Sequence, residues 1–253
     1  MIFVFNKDRI KTYLVSMLTV AMLIIFSNIG NIKSIQTSSV PKYLPIYNVK
    51  TDEKKIAFTM NCAWNAADID SILETLKNNN VHITFFMVGD WVDKYPDAVK
   101  KINEAGHEIG SHSNTHPHVN KLSAEKNLEE INLSVAKIQK ITGQKANIYR
   151  APYGEYNNTV IKTAEENGYY TIQWNLDTLD YKGLTGEQMW NRLKNKLENG
   201  AIILSHNGTK HTADSLDMLI KNIKSKGYEI ITVSQLIYKD NYIINGNGTQ
   251  IHE

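Results

Sequence analysis

The chain has 253 residues, 42% of them hydrophobic, with 28 basic and 26 acidic side chains and a formal net charge of +2. That length suits one barrel or α/β domain, or two small ones, and the apolar share supports a packed core. The balanced charge, with no basic run or stripe, argues against a nucleic-acid partner, and a single cysteine, Cys62, excludes an intramolecular disulfide.

In chain order, Lys7, Arg9 and Lys11 precede an apolar run over residues 13–26, and no charge returns before Lys33. A basic segment followed by an apolar one is the pattern of an export signal. No clean small-x-small cleavage site follows, and the uncharged stretch 12–32 matches the about 20 residues that span a bilayer. Residues 1–30 therefore read as a signal peptide or membrane anchor, with the anchor favoured over a cleaved signal or a buried core helix. The basic flank would keep the N-terminus inside and place the rest outside the membrane. Residues 31–50 read as a linker, because Pro41, Pro45 and several Ser and Thr residues break any helical period.

Residues 55–60 then read as a strand and 67–79 as a helix, with Ile69, Ile72, Leu73 and Leu76 on one face. A strand is expected over 82–88, a helix over 97–105 stopped by Gly106, and a short strand over 107–110. A long amphipathic helix over 123–142 closes at Gly143, and a strand follows over 147–150. Next come a helix over 159–167, a strand over 169–174, a helix over 186–198 and a strand over 201–204. A helix over 212–226 and a strand over 229–232 complete the alternation, Ser234 caps a short last helix, and residues 239–253 read as a loose tail. Strand and helix alternate about seven times, which argues a parallel sheet covered by helices. An open doubly wound sheet and a closed barrel both fit, although residues 51–238 are short for a complete eightfold barrel of about 250 residues. In either architecture chemistry belongs at the carboxyl ends of the strands.

Five polar clusters fall at such ends: Thr59-Met-Asn-Cys-Ala-Trp64, Ser111-His-Ser-Asn-Thr-His116, Arg150-Ala-Pro-Tyr-Gly154, Asp177-Thr-Leu-Asp-Tyr181 and Leu204-Ser-His206. His112 and His116 are spaced i, i+4, so one helical turn would bring both imidazoles to one face, near enough to share a metal ion. Solvated or capping histidines are the plainer alternative, and His118, beyond Pro117, reads as incidental. Arg150 can hold a carboxylate bidentately, and the Tyr153 backbone N–H can face an oxyanion. Asp177 can fix the tautomer of His206, leaving that imidazole as a general acid.

In this order and at these strand ends the clusters resemble the polysaccharide deacetylase family, the NodB-homology domain of carbohydrate esterases, over roughly residues 54–238, most of the chain. Supporting segments are His82-Ile-Thr-Phe-Phe86 and Ala105-Gly-His-Glu-Ile-Gly-Ser-His112. The resemblance implies a distorted, incomplete (β/α) barrel behind an N-terminal hydrophobic segment. It implies a divalent metal, commonly zinc, held by His112, His116 and the residue at position 62. It implies hydrolysis of N-acetyl groups from a cell-wall polysaccharide, peptidoglycan or a related N-acetylglucosamine polymer, outside the membrane. His206, oriented by Asp177, would protonate the leaving amine, and Arg150 would orient the base. Pro152, Tyr153, Tyr181 and Trp64 would line the sugar site.

The sequence departs from this pattern at its first motif. The family reads Thr-Phe-Asp-Asp where this chain has Thr59-Met60-Asn61-Cys62. Asn61 stands at the catalytic base, and an amide does not accept a proton at neutral pH. Cys62 stands at the third metal ligand, where a thiolate would leave a Cys-His-His site with an open fourth position and a neutral thiol would be core filler. Tyr181 replaces the usual tryptophan of the fourth motif. Ala63-Trp64 resembles the sporulation-type branch. A glycan-binding or sporulation scaffold of the same fold is the alternative to an enzyme.

Overall fold

A computed structural model describes residues 11, 16–19 and 43–253. The chain divides into two units, residues 1–40 and 41–253. In the first, Lys11 and residues 16–19 are helical. The rest of the expected signal or anchor over 1–30, and residues 31–42 of the expected linker, lie outside the described residues. Among the described residues no helix is long and apolar enough to cross a membrane.

The second unit opens with β1 (Asn48–Val49) and β2 (Lys55–Cys62), followed by α1 (Ile69–Asn78), β3 (Thr84–Met87), α2 (Gly89–Lys94) and α3 (Pro96–Glu104). Then come β4 (Glu108–Ser111), α4 (Ala124–Thr142), β5 (Ile148–Tyr149), α5 (Asn158–Glu166), β6 (Tyr170–Thr171) and β7 (Leu176–Asp177). The chain continues through α6 (Gly186–Leu193), β8 (Ile202–His206), α7 (Thr212–Ser225), β9 (Glu229–Ile231) and α8 (Val233–Leu236), and ends in β10 (Tyr242–Ile244) and β11 (Thr249–His252). The parallel sheet runs β6-β5-β4-β3-β2-β8-β7, with β9 also paired to β2. The end strands β6 and β7 do not pair with each other, so the sheet curls into a half-barrel and stays open.

β2 is the pivot, pairing with β3, β8 and β9. Successive side chains of a strand face opposite sides. Ile56, Phe58, Met60 and Cys62 accordingly share one apolar cluster with Ile69 and Ile72 of α1 and Leu216 and Leu219 of α7. Thr59 and Asn61 face the other way, towards the barrel interior and Arg150. Burying one side chain of the Phe58 or Met60 kind stabilises by about 1.5–3 kcal/mol, so the helix-facing row anchors β2 while the polar row is left for chemistry. Ser123 caps α4 by accepting from the Lys126 N–H, and Gly143, at φ +73°, closes it.

Two expected boundaries are corrected. Residues 43–50 are no linker: Ile46 is buried, bridges Ile172, and precedes β1, which pairs in parallel with β11. Residues 239–253 are no loose tail, because β10 and β11 form an antiparallel hairpin. Gln250 is fully buried there, and its amide both accepts from the N–H of Tyr238 and donates to its carbonyl. The Asn and Gly residues that suggested looseness make the turn. Asn245 Oδ1 accepts from the Asn247 and Thr249 N–H groups, and Gly248 adopts φ +79° where a Cβ would strike the Tyr47 ring. Asn and Gly are the residues that turns of this kind select.

Candidate active site

The carboxyl ends of β2, β4, β5, β7 and β8 surround a cavity of about 480 Å³ that includes Asn61, Trp64, His112, His116, Tyr153, Asp177, Tyr181 and His206 in its wall. Pro152 is buried beneath it in the turn that presents Tyr153, whose φ of +58° is left-handed.

His112 and His116 do converge, with ring centroids 4.9 Å apart. The expected helical turn is absent. The segment after β4 is a loop in which Ser113 and His116 take φ values of +69° and +58°. What holds this loop is Glu130 of α4, a residue the motif reading passed over. Its Oε2 accepts from Ser113 Oγ and the N–H groups of Asn114 and Thr115 at 2.8–2.9 Å, and its Oε1 accepts from Thr115 Oγ1 at 3.0 Å. Glu130→Ala is expected to cost about 1–3 kcal/mol, since it orphans donors around the buried Asn114. Amide hydrogen exchange over residues 113–116 should quicken, and unchanged protection there would refute the role. Burial holds both imidazoles below their usual pKa, His112 the further.

Arg150 is fully buried behind this pair. It donates to Thr59 Oγ1 at 2.8 Å, Asn61 Oδ1 at 3.0 Å, the Gln173 carbonyl at 3.1 Å and the Ile172 carbonyl at 3.4 Å. Its guanidinium also lies 4.1 Å from the centroid of the Phe86 ring. Burial pushes it down to about 9. These contacts fix hydrogen-bond polarity through the site. A guanidinium only donates, so Asn61 presents its oxygen to Arg150 and its NH₂ to His112 Nε2, 3.2 Å away. His112 Nδ1 lies 2.8 Å from the Arg150 carbonyl and must donate to it. Nε2 is then the lone-pair nitrogen, and the Asn61 amide already occupies it.

His206 stands at the end of β8, in register with Asn61 of β2. Asp180, not Asp177, orients it: Asp180 Oδ1 lies 2.8 Å from His206 Nδ1 and Oδ2 accepts from the His206 N–H at 2.6 Å. Thr212 Oγ1 also donates to Asp180 Oδ2. The reason is the left-handed turn at Leu179, φ +53°, which swings Asp180 inward, while Asp177 Oδ1 is taken by the Leu179 N–H. With Nδ1 donating to a buried carboxylate, His206 Nε2 is free to face the cavity. Trp64 and Tyr181 flank the ring at centroid distances of 5.3 and 5.4 Å.

A model of the polysaccharide deacetylase family matches residues 48–172. The chain is 30% identical over 206 residues to the peptidoglycan-N-acetylmuramic acid deacetylase PdaA of Bacillus subtilis, covering 80% of this chain and 78% of that protein. The chain belongs to the polysaccharide deacetylase family. It is 36% identical over 193 residues to the uncharacterised protein YlxY of Bacillus subtilis, covering 76% of this chain but only 60% of that longer relative. Among solved structures, a family 4 carbohydrate esterase pseudoenzyme from Bacillus anthracis matches with a TM-score of 0.74 at 31% identity, covering 83% of this chain and 73% of that one. A variant of that pseudoenzyme with restored enzymatic activity matches with the same TM-score at 33% identity, covering 78% and 71%.

In this member of the family the metal-ligand set expected from the sequence does not assemble. Cys62 is fully buried on the helix-facing side of β2, and burial raises its thiol well above the usual pKa, with Asp68 adding to the effect. It is a neutral core side chain rather than a ligand. Among the described residues no group of three His, Cys, Asp or Glu side chains could hold a metal ion. The site thus keeps the Asp180–His206 pair, while β2 offers no third ligand beside His112 and His116. Asp180→Ala is expected to remove about 3 kcal/mol of stability, because it strips partners from His206 and Thr212 inside the protein. It should also shift the ¹⁵N resonance of His206 Nδ1. Asp177→Ala should leave that resonance in place, and a shift there instead would return the orienting role to Asp177.

Proposed function

We propose that this chain is a cell-wall glycan deacetylase with a strongly weakened water-activating half, acting on peptidoglycan or a related N-acetylglucosamine polymer. One observation carries the reading: a buried carboxylate, Asp180, sets an imidazole, His206, at the wall of a cavity that also bears exposed aromatic surface from Trp64, Tyr153 and Tyr181. That pairing suits protonation of an amine leaving an N-acetyl sugar, with the aromatic rings giving the apolar faces of sugars a surface to rest on. Relatives named as peptidoglycan deacetylases, PdaA among them, support the substrate class. On this reading the chain works outside the membrane, at the wall, held by its N-terminal segment, and the branch resemblance at Ala63-Trp64 points to sporulation.

Asn61 weakens the chemistry. It takes the place of the base, and losing a positioned base typically costs about 10²–10⁴ in rate. A second reading, a glycan-binding scaffold without turnover, is favoured by the closed hydrogen-bond network around Asn61 and by likeness to a protein described as a pseudoenzyme. Acetate release from purified peptidoglycan and from tetra-N-acetylchitotetraose separates them. Slow release that disappears in His206→Ala supports the enzyme. Glycan binding with no release above the His206→Ala background leaves the scaffold.

A further inference from the structure

One aspartate, Asp177, ends β7 and another, Asp180, follows it, and His206 uses only the second. Asp180 is buried and engaged on both oxygens. Asp177 is half-buried in the cavity wall. Its Oδ1 accepts from the Leu179 N–H at 2.8 Å, which fixes the carboxyl, and its backbone carbonyl accepts from Arg192 Nε at 3.2 Å. Its Oδ2 has no hydrogen-bond partner among the described residues. A carboxylate that has lost part of its water and gained one hydrogen bond is poorly satisfied, and burial accordingly raises its pKa. A carboxylate in a cavity wall, fixed through one oxygen and with no protein donor on the other, is the kind of polar group that fixes a ligand's orientation in a cleft with apolar walls.

We infer that Asp177 Oδ2 is the acceptor for hydroxyl groups of an uncharged pyranose ring, a specificity-determining contact that rests on the glycan reading above. The surrounding chemistry selects this class. The His112 imidazole is spent on the Asn61 amide and the Arg150 carbonyl. His206 is paired with Asp180, Arg150 is spent on Thr59, Asn61 and two carbonyls, and Arg192 lies behind the Asp177 backbone. A ligand bringing O–H donors fills the vacant acceptor, whereas one bringing a carboxylate to this wall meets a like charge. Beside Asp177 the exposed Tyr181 ring offers apolar surface. Placement fits one sugar residue. Asp177 pairs with Leu204, two residues before His206 on the neighbouring strand, and neighbouring strands lie about 4.8 Å apart. The ring held by Asp177 is therefore the ring beside the His206 acid.

The test is isothermal titration of tetra-N-acetylchitotetraose into the wild-type chain and Asp177→Asn. The variant keeps Oδ1 for the Leu179 N–H and replaces the vacant acceptor by a donor. Its affinity should fall about tenfold with the melting temperature unchanged, the loss expected for one hydrogen bond to a charged group. Free N-acetylmuramic acid, which carries a carboxylate, should bind the wild type more weakly than N-acetylglucosamine, and the gap should narrow in the variant. Equal affinity of variant and wild type for the tetramer would overturn the inference and leave the glycan reading standing. A wild-type chain that does not bind the tetramer would overturn both. Should the variant not fold, the Leu179 amide resonance of the wild type decides: it must move on addition of the tetramer, and a stationary signal overturns the inference.

Discussion

Replacing Arg150 by methionine should lower stability by about 3 kcal/mol, read as a fall in the urea midpoint at unchanged slope. Two effects oppose each other at this position. Methionine relieves a buried cation that has no carboxylate in contact, and exchanging buried charge for apolar bulk is often neutral or stabilising. Against that, the Thr59 hydroxyl, the Asn61 amide oxygen and the carbonyls of Ile172 and Gln173 all lose their donor inside the protein. Each buried acceptor left empty costs about 1–3 kcal/mol. Four of them outweigh the relief. The loss should spread to the site, since Asn61 would be free to rotate and His112 would lose the partner on Nε2. An unchanged midpoint would mean that the guanidinium is as costly to bury as its hydrogen bonds are worth.

Asn61→Asp should act in the opposite direction and on two observables. The new carboxylate would sit 3.0 Å from the Arg150 guanidinium, where the amide oxygen now sits, and would give that buried charge the partner it lacks. A gain of about 1 kcal/mol follows, measured as a raised melting temperature, smaller than the full worth of a buried pair because the carboxylate must itself be dehydrated and no longer donates to His112 Nε2 as the amide does. Acetate release should rise by about 10²-fold, the low end of what a positioned base contributes, because the ligand set beside it stays incomplete. A raised melting temperature without added release would place the chain with the scaffolds. Neither change would mean that Asn61 does not stand in the base position. Cys62→Asp is not the symmetrical companion, for it would put a carboxylate among Phe58, Met60 and Ile69.

Much of this was legible in the residues. The long apolar runs that became β2, β3 and β8, and the glycine-closed helices between them, carry their periods openly, and the polar clusters after β4 and at the end of β8 brought His112 and His206 to one cavity with Arg150 buried behind it. The face of Cys62 was legible too, since period two along β2 sets it with Phe58 and Met60 once Asn61 points inward. The choice between Asp177 and Asp180 was not. It depends on a left-handed turn at Leu179, a residue type that gives no warning of positive φ. The spacing of His112 and His116 suggested a helix because i, i+4 neighbours meet there, yet a loop strapped by Glu130 brings them as close. Strand order was hidden for a different reason: β7, two residues long, carries no period to read, and β8 returns beside β2 only through contacts distant in sequence.

The three-stranded sheet of β1, β11 and β10 has a practical bearing. It joins the first described strand of the second unit to the last, so residues 239–253 act as a clasp on the strand that opens that unit. A chain trimmed after Tyr238, as its polar ending invites, would uncover Ile46 and Val49 and leave the Tyr238 backbone without the Gln250 amide. Those two apolar side chains would then meet water along an unpaired strand edge, the kind of surface on which copies of a protein stick to one another.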